Sequence, residues 1–300
     1  MMIDIQLLVS SRWKDYELLD CGDGQKLERF GAYVFVRPEV QALWPRRLPP
    51  ERWESAHATF HPSGEESGGH WVNRKMVPDR WEMNYGSLRF SVMTTPGRHL
   101  GVFPECAANW DWMSDIIREG REKTSNTRPL RILNLFGYTG LATLAAAAAG
   151  ANVTHVDASR KSIAWARQNQ SLSRLEEKPV RWIEDDALKF VQREIRRGNQ
   201  YDGILLDPPK FGRGPKGEVW EVYKSLPELL NACKQILSDH PLFVILTIYA
   251  VKFPAIHAYE ALSEIMRPNG GRIECGELVT EESSGGRSLS QAVYARWGNM

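Results

Sequence analysis

From about residue 129 onward, short apolar runs and helix-spaced segments alternate without interruption. That alternation narrows the fold more than any other feature. The runs 131–136, 152–156, 180–183, 201–206 and 242–248 have strand length and aliphatic content. Segments 141–149, 159–173, 187–197, 219–237 and 254–266 carry helical spacing. Gly150 and Gly198 stop two of these helices, and Pro227 predicts a break or kink in a third. Strand–helix alternation implies right-handed crossovers and a doubly wound, mostly parallel sheet. Residues 272–279 and 290–297 close the chain as strands with no helix between them. They predict one antiparallel strand near the sheet edge, so the fold class is α/β.

The first part of the chain reads differently. Tyr16 to Asp20 and Gln25 to Phe30 flank Cys21-Gly22-Asp23-Gly24 as a β-hairpin, and 32–36 follows as a strand. Segments 80–85 and 87–94 flank Gly86 in the same way. Residues 61–70 have loop composition. A helix over 107–121 ends this region, and 125–129 reads as a linker. The predicted organisation is a β-rich domain over 1–124 and an α/β domain over 129–300.

Composition excludes several classes. The net charge is +1, so no global basic field points to nucleic acid, although a local patch would suffice. The four cysteines, Cys21, Cys106, Cys233 and Cys275, form no CxxC, and they read as reduced thiols of a cytoplasmic protein. His57 and His61 have HxxxH spacing with only His70 near as a third ligand, so no metal is expected. The N-terminus has no signal pattern, and the apolar stretch 141–149 is too short for a membrane span. The oligomeric state is not encoded in any visible motif.

Four strand ends carry the chemistry. After the first lies Asn134-Leu135-Phe136-Gly137-Tyr138-Thr139-Gly140. Gly137 and Gly140 let the backbone approach a ligand, but the turn is too polar and tight for a pyrophosphate cradle. It favours a cofactor without phosphates. The second strand ends in Asp157-Ala158, about twenty residues on, where an acid can accept both hydroxyls of a ribose or cap the next helix. The third ends in Asp185-Asp186-Ala187. Asp186, with Asp185 second, can accept from an adenine amino group, while helix-capping explains the same acids. The fourth ends in Asp207-Pro208-Pro209-Lys210-Phe211. Two prolines cannot continue a parallel strand, so the chain turns out where open α/β sheets bind ligands. The carboxylate and the proline carbonyls, free of ladder partners, suit the polar edge of a flat nitrogen-bearing substrate, and Phe211 suits its face. A Pro-Pro turn with a core Phe is the alternative.

In this order and spacing, these elements resemble class I S-adenosylmethionine-dependent methyltransferases over roughly 129–298. They look most like the bacterial large-subunit ribosomal RNA branch that modifies cytosine carbon-5 or guanine nitrogen-7. The resemblance implies a Rossmann-like methyltransferase sheet. It implies Phe136, Tyr138 and Gly140 around the methionine part, Asp157 at the ribose, Asp186 at the adenine, and Asp207 through Phe211 at the transfer site. By the same resemblance His99, Phe103 and Glu105 line the pocket, while a hairpin and helix cap explain those residues equally well.

Two departures shape the expected chemistry. Cytosine carbon-5 is not nucleophilic and needs attack by a Cys thiolate first. The place where the cytosine branch carries Cys reads here Leu246-Thr247-Ile248-Tyr249-Ala250-Val251, and Cys106 precedes the α/β domain. The N-terminal segment has no clear match to that branch's small RNA-binding module. The expected reaction is therefore direct in-line methyl transfer to a base nitrogen of RNA, ribosomal RNA favoured. A small molecule or a protein as acceptor, and a non-catalytic cofactor-binding RNA assembly factor, are the alternatives. Lys210 contacts phosphate or is solvated. Arg193, Arg196 and Arg197 form a basic helix end that complements the helix dipole.

Overall fold

The computed structural model describes residues 3–63, 68–123, 128–249 and 253–299. In chain order the elements are β1 (Ile5–Val9), β2 (Tyr16–Gly22), β3 (Gln25–Phe30), β4 (Tyr33–Pro38), α1 (Pro50–Glu54), β5 (Ala58–Pro62), β6 (Gly69–Asn73), β7 (Trp81–Tyr85) and β8 (Leu88–Val92). They continue as α2 (Ala107–Lys123), β9 (Arg131–Leu135), α3 (Leu141–Ala148), β10 (Asn152–Asp157), α4 (Arg160–Leu172), β11 (Val180–Glu184), α5 (Ala187–Arg196) and β12 (Gly203–Leu206). The last are β13 (Phe211–Arg213), β14 (Val219–Glu221), α6 (Val222–Gln235), β15 (Phe243–Ile248), α7 (Ala255–Met266), β16 (Arg272–Glu281) and β17 (Ser288–Gly298).

The chain packs as two compact units: Met1–Leu8, Cys106–Leu278 and Gln291–Met300 form one, and Val9–Glu105 with Val279–Ser290 the other. These bounds differ from the expected 1–124 and 129–300. Helix α2 joins the α/β unit because Met113, Ile116 and Ile117 pack with Ile132 and Phe243. Strand β1 adds to its sheet. Leu289, just before β17 enters the sheet, packs instead with Leu18, Cys21 and Ala42 of the β-rich unit. The expected linker falls mostly outside the described residues, as do 64–67 of the expected loop.

The α/β unit is an eight-stranded sheet in the order β1-β16-β17-β15-β12-β9-β10-β11. Neighbours from β15 to β11 are parallel, and β17 runs antiparallel to β15. Period-2 alternation builds both faces. Ile132, Leu205, Phe243 and Ile245 face the α2–α3 side. Leu133, Ile204, Leu206, Val244 and Leu246 face α5, α6 and α7. From β9 the chain proceeds outward through β10 and β11, then returns to β12 on the other side of β9. This order reversal leaves a crevice at the carboxyl ends of β9 and β12. The expected helix over 219–237 begins only at Val222, and Pro227 lies within it without dividing it. Among the described residues no helix is long and apolar enough to cross a membrane.

The second unit holds a five-stranded sheet, β2-β3-β4-β5-β6, and a separate β7–β8 hairpin. The β2–β3 turn places Asp23 and Gly24 at φ 51° and 72°, as an Asp-Gly turn with two left-handed residues requires. Two of its half-buried tryptophans pack on core phenylalanines: Trp81 stacks on Phe35 at 5.5 Å, and Trp71 meets Phe35 and Phe60 edge-on.

Candidate active site

The turn after β9 is held in an unusual conformation. Phe136 and Tyr138 adopt φ 59° and 49°, and Gly140 φ 85°. Non-glycine residues adopt such angles only when their surroundings enforce them. Asp157, ending β10, supplies much of that enforcement. Its Oδ2 accepts the Tyr138 backbone N–H at 2.8 Å, and Oδ1 accepts that of Ser159 at 2.8 Å. Burial pushes its carboxyl pKa up, and these two bonds oppose the shift. A carboxylate offers about four acceptor positions, so roughly two remain for a ligand. Ala158 lies half-buried between Asp157 and the Ser159 cap of α4.

Beneath the turn lies a buried polar chain. Asn134 Nδ2 donates to Thr143 Oγ1 at 2.9 Å, and Thr143 Oγ1 shares a 2.9 Å bond with His155 Nδ1. Burial pushes the His155 pKa down to about 3, so the ring is neutral. A Cβ at Gly137 would overlap the His155 imidazole, which explains why this position is glycine. Asn169 of α4 donates to the Thr139 carbonyl at 3.0 Å. Asn134, expected to touch the cofactor, thus spends its side-chain amide on supporting the turn.

Asp186 is the N-cap of α5, accepting from Lys189 N at 2.9 Å, and Ala187 is its buried first residue. Asp185 accepts from Asp186 N and is ion-paired with Arg193. Helix-capping therefore occupies Asp186, which keeps acceptor positions beyond it.

After β12, Asp207 and Pro209 are half-buried, Pro208 is buried and Lys210 is exposed. The expectation of free proline carbonyls needs correction: the Pro209 carbonyl accepts the Trp220 indole N–H at 2.7 Å. Trp220 sits on β14, which pairs with β13 in a short hairpin (Phe211↔Glu221, Gly212↔Trp220, Arg213↔Val219). Directly paired residues share a face. One face therefore carries the buried Trp220, whose ring meets Phe136 at 4.8 Å. The other carries Phe211, 53% exposed, with its paired Glu221, and Arg213 with Val219. Phe211 is not a core residue, and Trp220 is the aromatic that ties the Asp-Pro-Pro turn to the glycine turn.

Tyr249, just past β15, joins these groups. Burial, then the nearby charges of Asp207 and Cys106, pushes its phenol well above the ordinary value. Cys106 and Tyr249 both pack against the apolar cluster of Leu278, Ala292 and Tyr294. The expected place of Cys106 before the α/β domain is therefore corrected: it belongs to the unit that carries the site. Cys233 and Cys275 are buried, and burial raises both thiol pKa values. The segment 250–251 lies outside the described residues.

His99, Phe103 and Glu105 lie in the β-rich unit. His99 and Phe103 rings are 5.0 Å apart. Burial, then Arg37 and Arg98, pushes the His99 pKa down to about 3. Burial raises that of Glu105. Nearby, Arg37 makes two 2.7 Å bonds to Glu28, which is nearly inaccessible. His57 Nδ1 accepts from Val34 N at 3.0 Å, and His61 stacks on His70. Among the described residues no three metal-ligating side chains cluster.

The residues fit a nucleoside cofactor without phosphates. The left-handed turn exposes backbone, Asp157 keeps acceptor positions, and Asp185 and Asp186 stand one strand further on.

Comparison with known proteins agrees. A profile of the S-adenosylmethionine-dependent methyltransferase family (Methyltrans_SAM) matches residues 59–263. The structure of a SAM-dependent methyltransferase from Agrobacterium tumefaciens is 43% identical, with a TM-score of 0.92, covering 100% of this chain and 97% of that one. SMU.776 complexed with SAH shares the fold at 18% identity and TM-score 0.72, over 96% of this chain and 76% of that one. The ribosomal RNA large subunit methyltransferase K/L of Shewanella sp. (strain MR-4) is 37% identical over 113 residues. That match covers 37% of this chain and 16% of the relative.

Proposed function

The chain belongs to the S-adenosylmethionine-dependent methyltransferases, and on that premise we propose that it methylates a base nitrogen in RNA, ribosomal RNA first. The observation that carries this reading is the hairpin face beside the transfer turn. Phe211 stands half-exposed with Arg213 on that face, one residue after Lys210. An exposed ring between Lys210 and Arg213, with the paired Glu221 neutralised by Lys224 at 2.7 Å, suits stacking on a base and contact with its phosphates. The partial likeness to a ribosomal RNA methyltransferase supports the same substrate class.

When bound, S-adenosylmethionine supplies an electrophilic methyl group. The protein's part is alignment and exclusion of water. Asp157 accepts from the ribose while holding Tyr138 in its left-handed conformation. Asp186 takes the adenine edge. Asp207 accepts from the base's exocyclic N–H, and so orients the ring nitrogen along the transfer axis. Trp220 fixes the Pro209 carbonyl and leaves the Pro208 carbonyl for the base. Phe211 stacks on the base or its neighbour after the target is unpaired. His99, Phe103 and Glu105 recognise substrate.

A second reading has one observation in its favour. Cys106 packs against the same apolar cluster as Tyr249, whose phenol feels the charges of Asp207 and Cys106, so a thiol stands in the unit that carries the site. In that reading the Cys106 thiolate adds to cytosine carbon-6, carbon-5 takes the methyl, and loss of the carbon-5 proton to water then expels the thiolate.

Tritiated S-adenosylmethionine, the protein and extract from cells lacking the gene separate these readings. Label in RNA that persists in Cys106→Ser and vanishes in Asp207→Ala supports direct transfer. Loss in Cys106→Ser, with wild-type cofactor affinity, supports the thiolate route. Label in protein or small molecules overturns the RNA reading. Cofactor binding without label in any fraction favours the non-catalytic assembly factor.

A further inference from the structure

The amino edge of the sheet, opposite the transfer turns, carries a feature that the transfer chemistry does not use. A groove of about 320 Å3 opens there, lined among others by Arg131, Thr154 and Arg181. Arg131 and Arg181 lie at the starts of β9 and β11, on either side of β10. Strand spacing puts their backbones about 10 Å apart. Each guanidinium lies over a ring, Arg131 at 5.1 Å from Tyr201 and Arg181 at 5.8 Å from Phe190. The planar forks are thereby held in place.

Arg196 and Arg197 end α5 on the same side of the sheet, with Arg193 one turn before them. The acids among them are few. Glu194 is fully buried and accepts from Tyr201, Asn199 and Arg197 at 2.8, 2.9 and 3.0 Å, with Arg181 at 3.9 Å. Arg193 instead pairs with Asp185, at the carboxyl end of β11. Arg128 is balanced by Asp202, and the exposed Glu176 and Glu177 lie between Arg174 and Lys178 in the sequence. Arg131, Arg181, Arg196 and Arg197 therefore share the buried Glu194, on a chain whose overall charge is only +1. The crowding is felt at Arg193. Partial burial, then Arg197 and Arg196, lowers its pKa in spite of its ion pair.

We propose that this groove and its arginine rim bind the phosphate backbone of the RNA substrate, remote from the transferred methyl. The inference rests on the RNA reading of the transfer site. A five-residue strand spans about 17 Å, so an acceptor reaching both ends of the sheet must be large. A small molecule has no use for the second end, and a folded RNA does. Contacts of this kind position the substrate without reading its sequence.

Filter binding of deproteinised ribosomal RNA from cells lacking the gene, over a salt series, tests this with the full chain. Each phosphate that is no longer neutralised reduces the slope of log K against log salt by roughly 0.7–0.9. Arg131→Gln with Arg181→Gln is expected to reduce it by about 1.4–1.8 and to leave cofactor affinity unchanged. Arg131→Lys with Arg181→Lys keeps the charge and most of the slope. Arg196→Gln, on an exposed residue with little packing to forfeit, is expected to reduce the slope by close to one such step. Wild-type slopes in the glutamine variants overturn the groove while leaving RNA methylation standing. A loss that persists in the lysine variant assigns the effect to packing and also overturns it. If wild type binds no RNA and label enters small molecules, the RNA reading itself has failed.

Discussion

Replacing Trp220 by Phe isolates one bond. The indole N–H meets the Pro209 carbonyl at 2.7 Å, in a side chain only 4% exposed. Phe keeps the aromatic contact with Phe136, which is worth about 0.5–1.5 kcal/mol. What goes is the hydrogen bond, net about 0.5–1.5 kcal/mol, with up to about 1–3 kcal/mol if the carbonyl then finds no water. A loss of about 1–2 kcal/mol follows, lowering Tm by roughly 3–6 °C for a unit of this size. Calorimetry should show cofactor affinity within about threefold of wild type, because the Phe136 contact survives. Label transfer should slow by up to about tenfold, the rate equivalent of 1.4 kcal/mol, because the acceptor turn loses its restraint. Trp220→Ala removes the ring as well, and should cost about 3–5 kcal/mol and weaken cofactor binding too. Wild-type Tm and transfer rate in Trp220→Phe would refute the claim that this bond fixes the turn.

Asp157→Ala removes two 2.8 Å charge-assisted bonds and should weaken cofactor binding by tenfold or more, with equal affinity in calorimetry counting against the ribose assignment. In wild type, affinity should fall on acidification at a pH above 3.8, because burial raises the Asp157 pKa and only the carboxylate accepts both ribose hydroxyls. His155, held at about 3 against an ordinary 6.5, binds fewer protons folded than unfolded between those values. Its contribution to stability is present above 6.5 and lost toward 3, on the order of 4–5 kcal/mol, so acid unfolding of His155→Gln should begin at lower pH than in wild type. Phe211→Ala should leave cofactor affinity unchanged and cut RNA labelling about tenfold or more, corresponding to about 1–3 kcal/mol of stacking per base; unchanged labelling would remove Phe211 from substrate recognition.

The parallel part of the sheet was legible because its signals are local. Each strand alternates between two apolar faces, and Gly150 and Gly198 stand where two of the helices stop. The units' borders were not legible, because they depend on partners distant in sequence. Nothing in Ile5–Val9 says that its neighbour is a strand near residue 275. The helical spacing of 107–121 shows an apolar stripe but not the sheet it packs on. The antiparallel β17 was predictable from the missing helix before it, whereas the departure of its first residues into the other unit was not.

The site divides along the same line. Glycines and acids at strand ends are visible because the backbone there must turn and the chemistry needs acceptors. The supports are tertiary: His155 under Gly137, Asn169 on Thr139 and Trp220 on Pro209 come from strands and helices elsewhere in the chain. Trp220 shows why the supports were hidden. In the structure 219–221 alternate exposed, buried and half-exposed, the period of a strand, just before the first turn of α6, whereas Val219-Trp220-Glu221 shows no such alternation as a sequence. Taken as a strand, 219–221 needs a partner, and 211–213 is a near segment able to supply one through a short loop. Pairing then decides the aromatic roles, because Phe211 and Trp220 sit one step apart in register and must face opposite ways. Since Trp220 faces inward, Phe211 is left outward, on the exposed face of the hairpin.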